Sequence, residues 1–251
     1  MPSRRLPFRD PRTVARDIPG VLDILFPRLS GGLVASMNRK MFRFEDVAAI
    51  PEQRIKASRL QKSMLFELAV VRAENLLADE NDSNWQKCID MAVARQRRHF
   101  DARIPDHLSE EDIVLAGWAA RNLLMMLRSV CAQYPTNSLS IGPSVPGLGW
   151  ISSGVGDFSI GPLLIEVKHT DRNFAAGDFR QVLIYWLLKY SASLERNEEV
   201  WTDCLLLNPR RNSALFVNFD FLLLSASAGL NRIETLELMR SILDRDFEKR
   251  Q

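Results

Sequence analysis

The pattern of apolar and polar residues divides the chain into a helical first part and a mixed second part. Residues 57 to 79 contain neither Gly nor Pro and are rich in Leu, Ala, Met and Glu, which predicts one long helix. Because this segment is apolar almost all round, we expect it to be buried. A second helix is predicted from Trp85 to Phe100. The first 30 residues are rich in proline and predict only a short helix, near Val21 to Phe26.

The second part of the chain begins with a helix and continues with strands. Ser109 and Asp112 have the spacing of a helix cap, and an apolar stripe follows them, which predicts a helix over residues 109 to 133. Residues 138 to 156 hold five glycines and two prolines among short β-prone pieces, which indicates strand, loop and strand. From Asp157 onward the pattern is strand, turn, strand, helix, strand, strand, helix. We therefore predict a mainly helical N-terminal domain over residues 1–105 and an α/β domain over residues 106–251.

Composition and charge are those of an ordinary globular protein. Apolar residues make up 46% and charged residues 25% of the chain, and the net charge is +2. This balance excludes a uniformly basic nucleic-acid coat, although a local basic face is still compatible with it. The first sixteen residues contain five arginines and a single acid. The arginines are Arg4, Arg5, Arg9, Arg12 and Arg16. We interpret them as a basic arm that is either solvated or in contact with an anionic partner.

Several classes of protein are disfavoured by what the sequence lacks. The three cysteines, Cys88, Cys131 and Cys204, are far apart and form no CxxC pattern, which argues against zinc and for a reducing compartment. No apolar run is long enough for a signal core or for a membrane span of about 18 residues. There is no phosphate-binding loop of the GxxxxGK type. We therefore expect a cytoplasmic protein with no membrane association and no ATP site.

The segment from Asp157 to Lys168, DFSIGPLLIEVK, holds the strongest candidate chemistry. Side chains alternate along a strand, so Glu166 and Lys168 share one face. Counting outward from a two-residue turn at Gly161-Pro162 places Asp157 directly opposite Glu166. Two opposed carboxylates repel each other unless a cation lies between them, and a divalent metal suits such oxygen ligands. Lys168 can then orient a water molecule or neutralise charge on a phosphate. An ordinary ion pair on a strand is the alternative.

The next helix supplies a second set of polar positions. Asp178 and Gln181 can cap its N-terminus, while Gln181 and Tyr185 lie one turn apart on a stripe beside the apolar face. Gln181 is therefore either a capping residue or a residue held next to the carboxylates.

Taken together, Asp157, Glu166-Val167-Lys168 and Gln181-x-x-x-Tyr185 resemble the PD-(D/E)XK nuclease superfamily and its RecB-like branch. The resemblance covers about residues 109 to 225 and implies a restriction-endonuclease-like αβββαβ core. It implies Mg²⁺ or Mn²⁺ bound by Asp157, Glu166 and the Val167 carbonyl, with Lys168 near the attacking water and Gln181 helping to fix the site. It also implies products with 5′-phosphate and 3′-hydroxyl ends.

Other residues are weaker candidates for this site. Many members of the superfamily take a further acid from a helix, and Glu67 is the candidate here, although an ion pair with an arginine accounts for it as well. His169, Arg172 and Arg180 neighbour the motif residues, and with Tyr185 they are the candidates for binding nucleic acid; otherwise they are surface or half-buried residues.

The sequence thus predicts a metal-dependent deoxyribonuclease that serves microbial restriction, repair or phage defence. An RNase would use the same residues, so RNA is an alternative substrate. A catalytically silent nuclease-fold subunit, which binds nucleic acid or assembles a larger complex, is the alternative function. DNA is the expected partner, and a partner subunit or a homodimer is compatible with the sequence.

Overall fold

Ten helices and seven strands form a mixed α/β fold in the computed structural model, which describes residues 9–17, 19–79, 84–96 and 108–248. The helices are α1 Pro11–Asp17, α2 Pro19–Leu25, α3 Gly31–Asn38, α4 Glu52–Ala57, α5 Lys62–Ala78, α6 Trp85–Gln96, α7 Glu110–Cys131, α8 Ala176–Arg196, α9 Phe219–Ala226 and α10 Arg232–Glu248. The strands are β1 Leu139–Ile141, β2 Ser144–Val145, β3 Gly154–Val155, β4 Phe158–Ile160, β5 Leu163–Val167, β6 Asp203–Asn208 and β7 Ser213–Asn218.

The N-terminal segment is more helical than its proline content predicts. The short predicted helix near Val21 is confirmed as α2, but the expectation of irregular chain around it is wrong, because α1 precedes it. Pro11 stands at the first helical position, where its missing N–H costs nothing. The Asp10 carboxylate accepts hydrogen bonds from the Thr13 N–H and hydroxyl, which starts the helix. Residues 1–8 lie outside the described residues.

The predicted long helix over residues 57–79 is wrong at its start. The chain forms the short helix α4 and then an extended connection before α5 begins at Lys62. Ser58 has an extended backbone, and its hydroxyl donates to the Asp112 carboxylate at 2.6 Å. The same carboxylate closes the predicted cap of α7 with Ser109, so that helix is confirmed. The predicted helix from Trp85 is confirmed to Gln96, and residues 97–107 lie outside the described part.

Five strands form a mixed sheet in the order β1-β4-β5-β6-β7. Only the central pair β5 and β6 is parallel, and the other three pairs are antiparallel. The predicted hairpin is confirmed, because Ile160 pairs with Leu163 across Gly161-Pro162, and Gly161 adopts the left-handed φ of 51°. Strands β2 and β3 pair separately.

Helices cover both faces of the sheet. The face that carries Leu164, Cys204 and Leu206 packs against α8, while Ile165 and Leu205 on the other face pack against α7. Helix α7 packs in turn on α5. Helix α7 is long and apolar enough to cross a membrane, but 56% of its apolar window is buried within the protein, as in a core helix of a globular protein. Cys88 and Cys204 are buried, and Cys131 is partly buried.

The N-terminal helices contribute to the same core as the sheet. Helix α1 packs on α8, and α2 contacts α10. Val14 and Leu22 are fully buried in one cluster with Leu183 and Trp186 of α8. The predicted domain boundary near residue 105 lies outside the described residues, and the division of the chain there stays a prediction.

Candidate active site

Three elements meet at the carboxyl end of β5, and the alternation of the strand determines which side chains they share. Ile165 and Val167 point into the core beneath α7, so Glu166 and Lys168 point to the other face, towards α8. Helix α8 follows that strand and brings Gln181 over the same face. Helix α1 packs alongside α8 and brings Arg12. The site thus joins residues that are up to 173 positions apart.

Asp157 lies one position before β4 and faces both β5 and α1. Its Oδ2 accepts the Val167 N–H at 2.8 Å, and its Oδ1 accepts Nη2 of Arg12 at 2.7 Å. The same Arg12 nitrogen is 3.8 Å from Oε1 of Glu166. A single guanidinium therefore lies between the two carboxylates that the hairpin brings together and offsets part of their repulsion. Burial alone would lower the pKa of Arg12, but the charges of Asp157 and Glu166 raise it well above its ordinary value.

Glu166 is the most deeply buried acid of the site, with 1% of its side chain exposed. Its Oε1 accepts from Lys168 Nζ at 3.1 Å and from Gln181 Nε2 at 2.5 Å. Its Oε2 is buried and has no hydrogen-bond partner among the described residues. Burial and the charge of Asp157 raise the pKa of Glu166, against the opposing charges of Lys168 and Arg12. A buried carboxylate oxygen without a partner is costly, so it marks a place where a cation would be favourable.

Gln181 belongs to this polar network and does not cap α8. Its Oε1 accepts from Lys168 Nζ at 2.8 Å, so its amide bridges Lys168 and Glu166. The capping role falls to Asp178, whose Oδ2 accepts the Ala175 N–H at 2.8 Å. Of the two alternatives that the sequence left open, the contacts therefore place Gln181 beside the carboxylates.

Tyr185 lies beneath the network, with 1% of the residue exposed. Its hydroxyl accepts from Arg12 Nε at 3.0 Å and from Gln181 Nε2 at 3.1 Å. Burial, together with the charge of Glu166, raises its pKa, so the hydroxyl stays neutral. This position differs from the expected nucleic-acid contact, because Tyr185 supports two side chains of the site from below and offers no surface to a polymer.

The donor set fits a hard divalent cation. Asp157 and Glu166 supply carboxylate oxygens, one of which is unpartnered, and Val167 lies where β5 runs past the first residue of β4. Carboxylates and a backbone carbonyl, completed by water, are ligands that Mg²⁺ and Mn²⁺ accept. Across the described ranges, no group of three or more His, Cys, Asp and Glu side chains is arranged to hold a metal ion. The backbone carbonyl and water would therefore complete the ligand set around Asp157 and Glu166.

A cavity of about 700 Å³ opens over this site between α1, α5 and the end of β5. Arg12, Glu166 and Lys168 form its floor, and Phe66 and Glu67 of α5 form a wall. Glu67 faces this cavity, but Arg95 Nη1 lies 3.9 Å from its Oε2. Burial raises the pKa of Glu67, and the charge of Arg95 opposes that rise. The contact with Arg95 is the ion pair that the sequence offered as one alternative for Glu67. Its other alternative, a metal ligand, stays a prediction.

The remaining nucleic-acid candidates lie at different distances from the cavity. His169 lines it beside Phe66, and burial lowers the pKa of the imidazole to about 4, so the ring is neutral. Arg180 pairs with Asp23 of α2. Arg172 is exposed and does not line the cavity. Of the proposed phosphate contacts, only His169 borders the space in which a substrate would approach the carboxylates.

Arg12 is the site residue whose role the sequence did not indicate. It was counted in the basic arm, and nothing in its spacing connects it to Asp157, which lies 145 residues away. The excess of arginine over acid before residue 17 was the one available signal.

Neither protein-family models nor curated proteins give a match to this chain. The geometry of the site therefore carries the functional argument.

Proposed function

We propose that this protein is a metal-dependent nuclease of the PD-(D/E)XK type that hydrolyses phosphodiester bonds of DNA. The observation that carries the proposal is a polar network beside one cavity. In this network Glu166, Lys168 and Gln181 are hydrogen-bonded to one another and Arg12 links Glu166 to Asp157, while Glu166 and Lys168 line the cavity. The succession of α7, β1, β4, β5, α8 and β6 is that of an αβββαβ core, which supports the same assignment. The proposal includes DNA as the partner and the cytoplasm as the location.

In this proposal Asp157, Glu166 and the Val167 carbonyl hold Mg²⁺ or Mn²⁺. A cation bound there would supply Lewis-acid activation of the phosphodiester and of the attacking water. Lys168 directs its ammonium from the same face of β5 and can orient that water or stabilise charge on the phosphate. Gln181 holds the Lys168 ammonium and the Glu166 carboxylate in a fixed relation. The protein thereby fixes the positions of the reacting groups before the substrate arrives.

One observation favours the alternative, a nuclease-fold subunit without catalysis. Arg12 and Lys168 together balance the charges of Asp157 and Glu166, so the site is electrostatically satisfied except at Glu166 Oε2. In that alternative the protein binds nucleic acid or a partner subunit, and the network is structural.

Cleavage assays separate these functions. Linear duplex, plasmid, single-stranded DNA and RNA are incubated with the protein in Mg²⁺, in Mn²⁺ and in EDTA. We expect cleavage of DNA in the metal buffers, none in EDTA, and none with Asp157→Asn. Lys168→Ala should keep metal binding and lose turnover, so that kcat falls much more than KM rises. Nucleic-acid binding without cleavage in every buffer would instead support the silent subunit, and cleavage of RNA alone would identify an RNase.

A further inference from the structure

We propose that Arg12 and the divalent cation exchange places on the carboxylates. In the metal-free protein the guanidinium lies against Asp157 and Glu166. A cation held by those oxygens would release Arg12, which could then bind a phosphate of the nucleic-acid backbone. This inference rests on the proposed function, and it assigns to Arg12 the role of a substrate-binding residue.

The contacts of the two Asp157 oxygens are the first reason to expect an exchange. Oδ2 is held by the Val167 N–H at 2.8 Å, and Oδ1 is held by Arg12 Nη2 at 2.7 Å. A Mg²⁺ ion lies about 2.0–2.1 Å from a ligand oxygen. A cation on Oδ1 would therefore lie close to the guanidinium, and two positive charges at such a distance repel each other. Metal binding to Asp157 is accordingly expected to compete with Arg12 and to favour its release.

The surroundings of Arg12 show where it would act. Its side chain is 30% exposed and lines the same cavity as Lys168 and His169, so a released guanidinium remains beside the reacting groups. Its planar fork of N–H donors suits a phosphate as well as it suits a carboxylate. Asp10 is the acid nearest to Arg12 in sequence. Its carboxylate accepts hydrogen bonds from the N–H and the hydroxyl of Thr13 at the start of α1.

Arg16 offers a matched comparison on the same helix. It lies one turn further along α1 and lines the same cavity, but it is exposed and has no ion pair with Asp157 or Glu166 among the described contacts. The change Arg16→Ala therefore removes an equal charge from the cavity without releasing the carboxylates.

Calorimetric titration with Mn²⁺ alone tests the exchange without any substrate. We expect Arg12→Ala to raise the Mn²⁺ affinity at least about tenfold, since the competing cation is gone. Arg12→Gln should do the same, and it decides the result if Arg12→Ala does not fold, as judged by circular dichroism. Arg16→Ala should change the affinity less than about twofold. An Mn²⁺ affinity that stays constant or falls in the two neutral Arg12 variants would overturn the exchange.

A second titration tests the released state. With Ca²⁺ as the hard cation, binding of a fluorescent single-stranded oligonucleotide should weaken at least about tenfold in Arg12→Gln. Equal affinity for the oligonucleotide would overturn the phosphate contact. If the proposed function itself is wrong, the result is a different one. Mn²⁺ would then bind neither to the wild-type protein nor to the neutral Arg12 variants, or the change Asp157→Asn would leave the Mn²⁺ affinity unchanged.

Discussion

At the scale of single residues, Arg12 reverses an expectation about the stability of the site. From sequence, two opposed carboxylates repel each other, so removing Asp157 is expected to stabilise the metal-free protein. In the structure a guanidinium lies 2.7 Å from one of these carboxylates and 3.8 Å from the other. Asp157 also accepts the Val167 N–H, so its removal leaves both a cation and a backbone donor without their acceptor.

We therefore expect Asp157→Ala to lower the free energy of unfolding by about 1–3 kcal/mol in EDTA. Urea denaturation at neutral pH measures this change. Asp220→Ala is the control, because Asp220 pairs with Arg232 and both side chains are exposed, so its loss should cost less than about 1 kcal/mol. A more stable Asp157→Ala protein would mean that Arg12 does not neutralise the pair in solution.

At the scale of elements, helix α8 combines two tasks in its first turns. Asp178 starts the helix by accepting the Ala175 N–H, while Gln181, three residues later, faces Glu166 and Lys168. The two residue types can both cap a helix, which is why the sequence could not assign them separately.

Gln181→Ala should lower kcat by about 10- to 100-fold, because the residue orients two groups of the proposed site. Asp178→Ala should instead cost about 0.5–2 kcal/mol of stability, as the loss of a cap does, with a smaller change in kcat per folded molecule. Steady-state kinetics and urea denaturation of both variants measure the contrast. Full activity in Gln181→Ala would show that its contacts are structural only.

The start of α7 supplies a prediction with a defined pH window. Burial alone would raise the pKa of Asp112, but hydrogen bonds from Ser58 and Ser109 lower it below its ordinary value of 3.8. An acid with a depressed pKa in the folded protein contributes stability above 3.8, and this contribution is lost as the pH falls through the folded value.

Asp112→Asn should therefore cost about 1 kcal/mol at pH 7. The difference in the free energy of unfolding from the wild-type protein should shrink as the pH falls below 3.8. Thermal or urea unfolding of both proteins across this pH range measures the difference. Glu110→Gln changes an exposed acid in the same turn and should not show this closing difference. If the difference in the free energy of unfolding does not change with pH, then Asp112→Asn acts through the shape of the side chain and not through its charge.

Local patterns predicted the elements that depend on neighbours in sequence. The alternation along β5 and the Gly161-Pro162 turn were sufficient for the hairpin and for the shared face of Glu166 and Lys168. Contacts between distant segments were not predictable in this way. The start of α5 depends on the pairing of Ser58 with Asp112, and the cation of the site depends on α1 packing against α8.

At the scale of the whole molecule, the N-terminal helices complete the core that surrounds the sheet. Val14 of α1 and Leu22 and Leu25 of α2 are fully buried in the cluster that contains the apolar face of α8. On the other side, α5 packs along α7. The sequence predicts an α/β domain over residues 106–251. The apolar surface of α8 that α1 and α2 cover would be exposed if this part were produced alone.

We therefore expect residues 106–251, produced alone, not to fold cooperatively. Losing the buried contacts of only the three side chains of α1 and α2 forfeits on the order of 5 kcal/mol, which is comparable to the total stability of many domains. The full chain should unfold in a single urea transition, whereas the fragment should show a broad one, weak near-ultraviolet circular dichroism and binding of a hydrophobic dye. Adding residues 1–105 in trans should restore the sharp transition if the two parts share one core. A sharp transition for the fragment alone would establish it as a domain, and its Mn²⁺ affinity would then show how the carboxylates behave without Arg12.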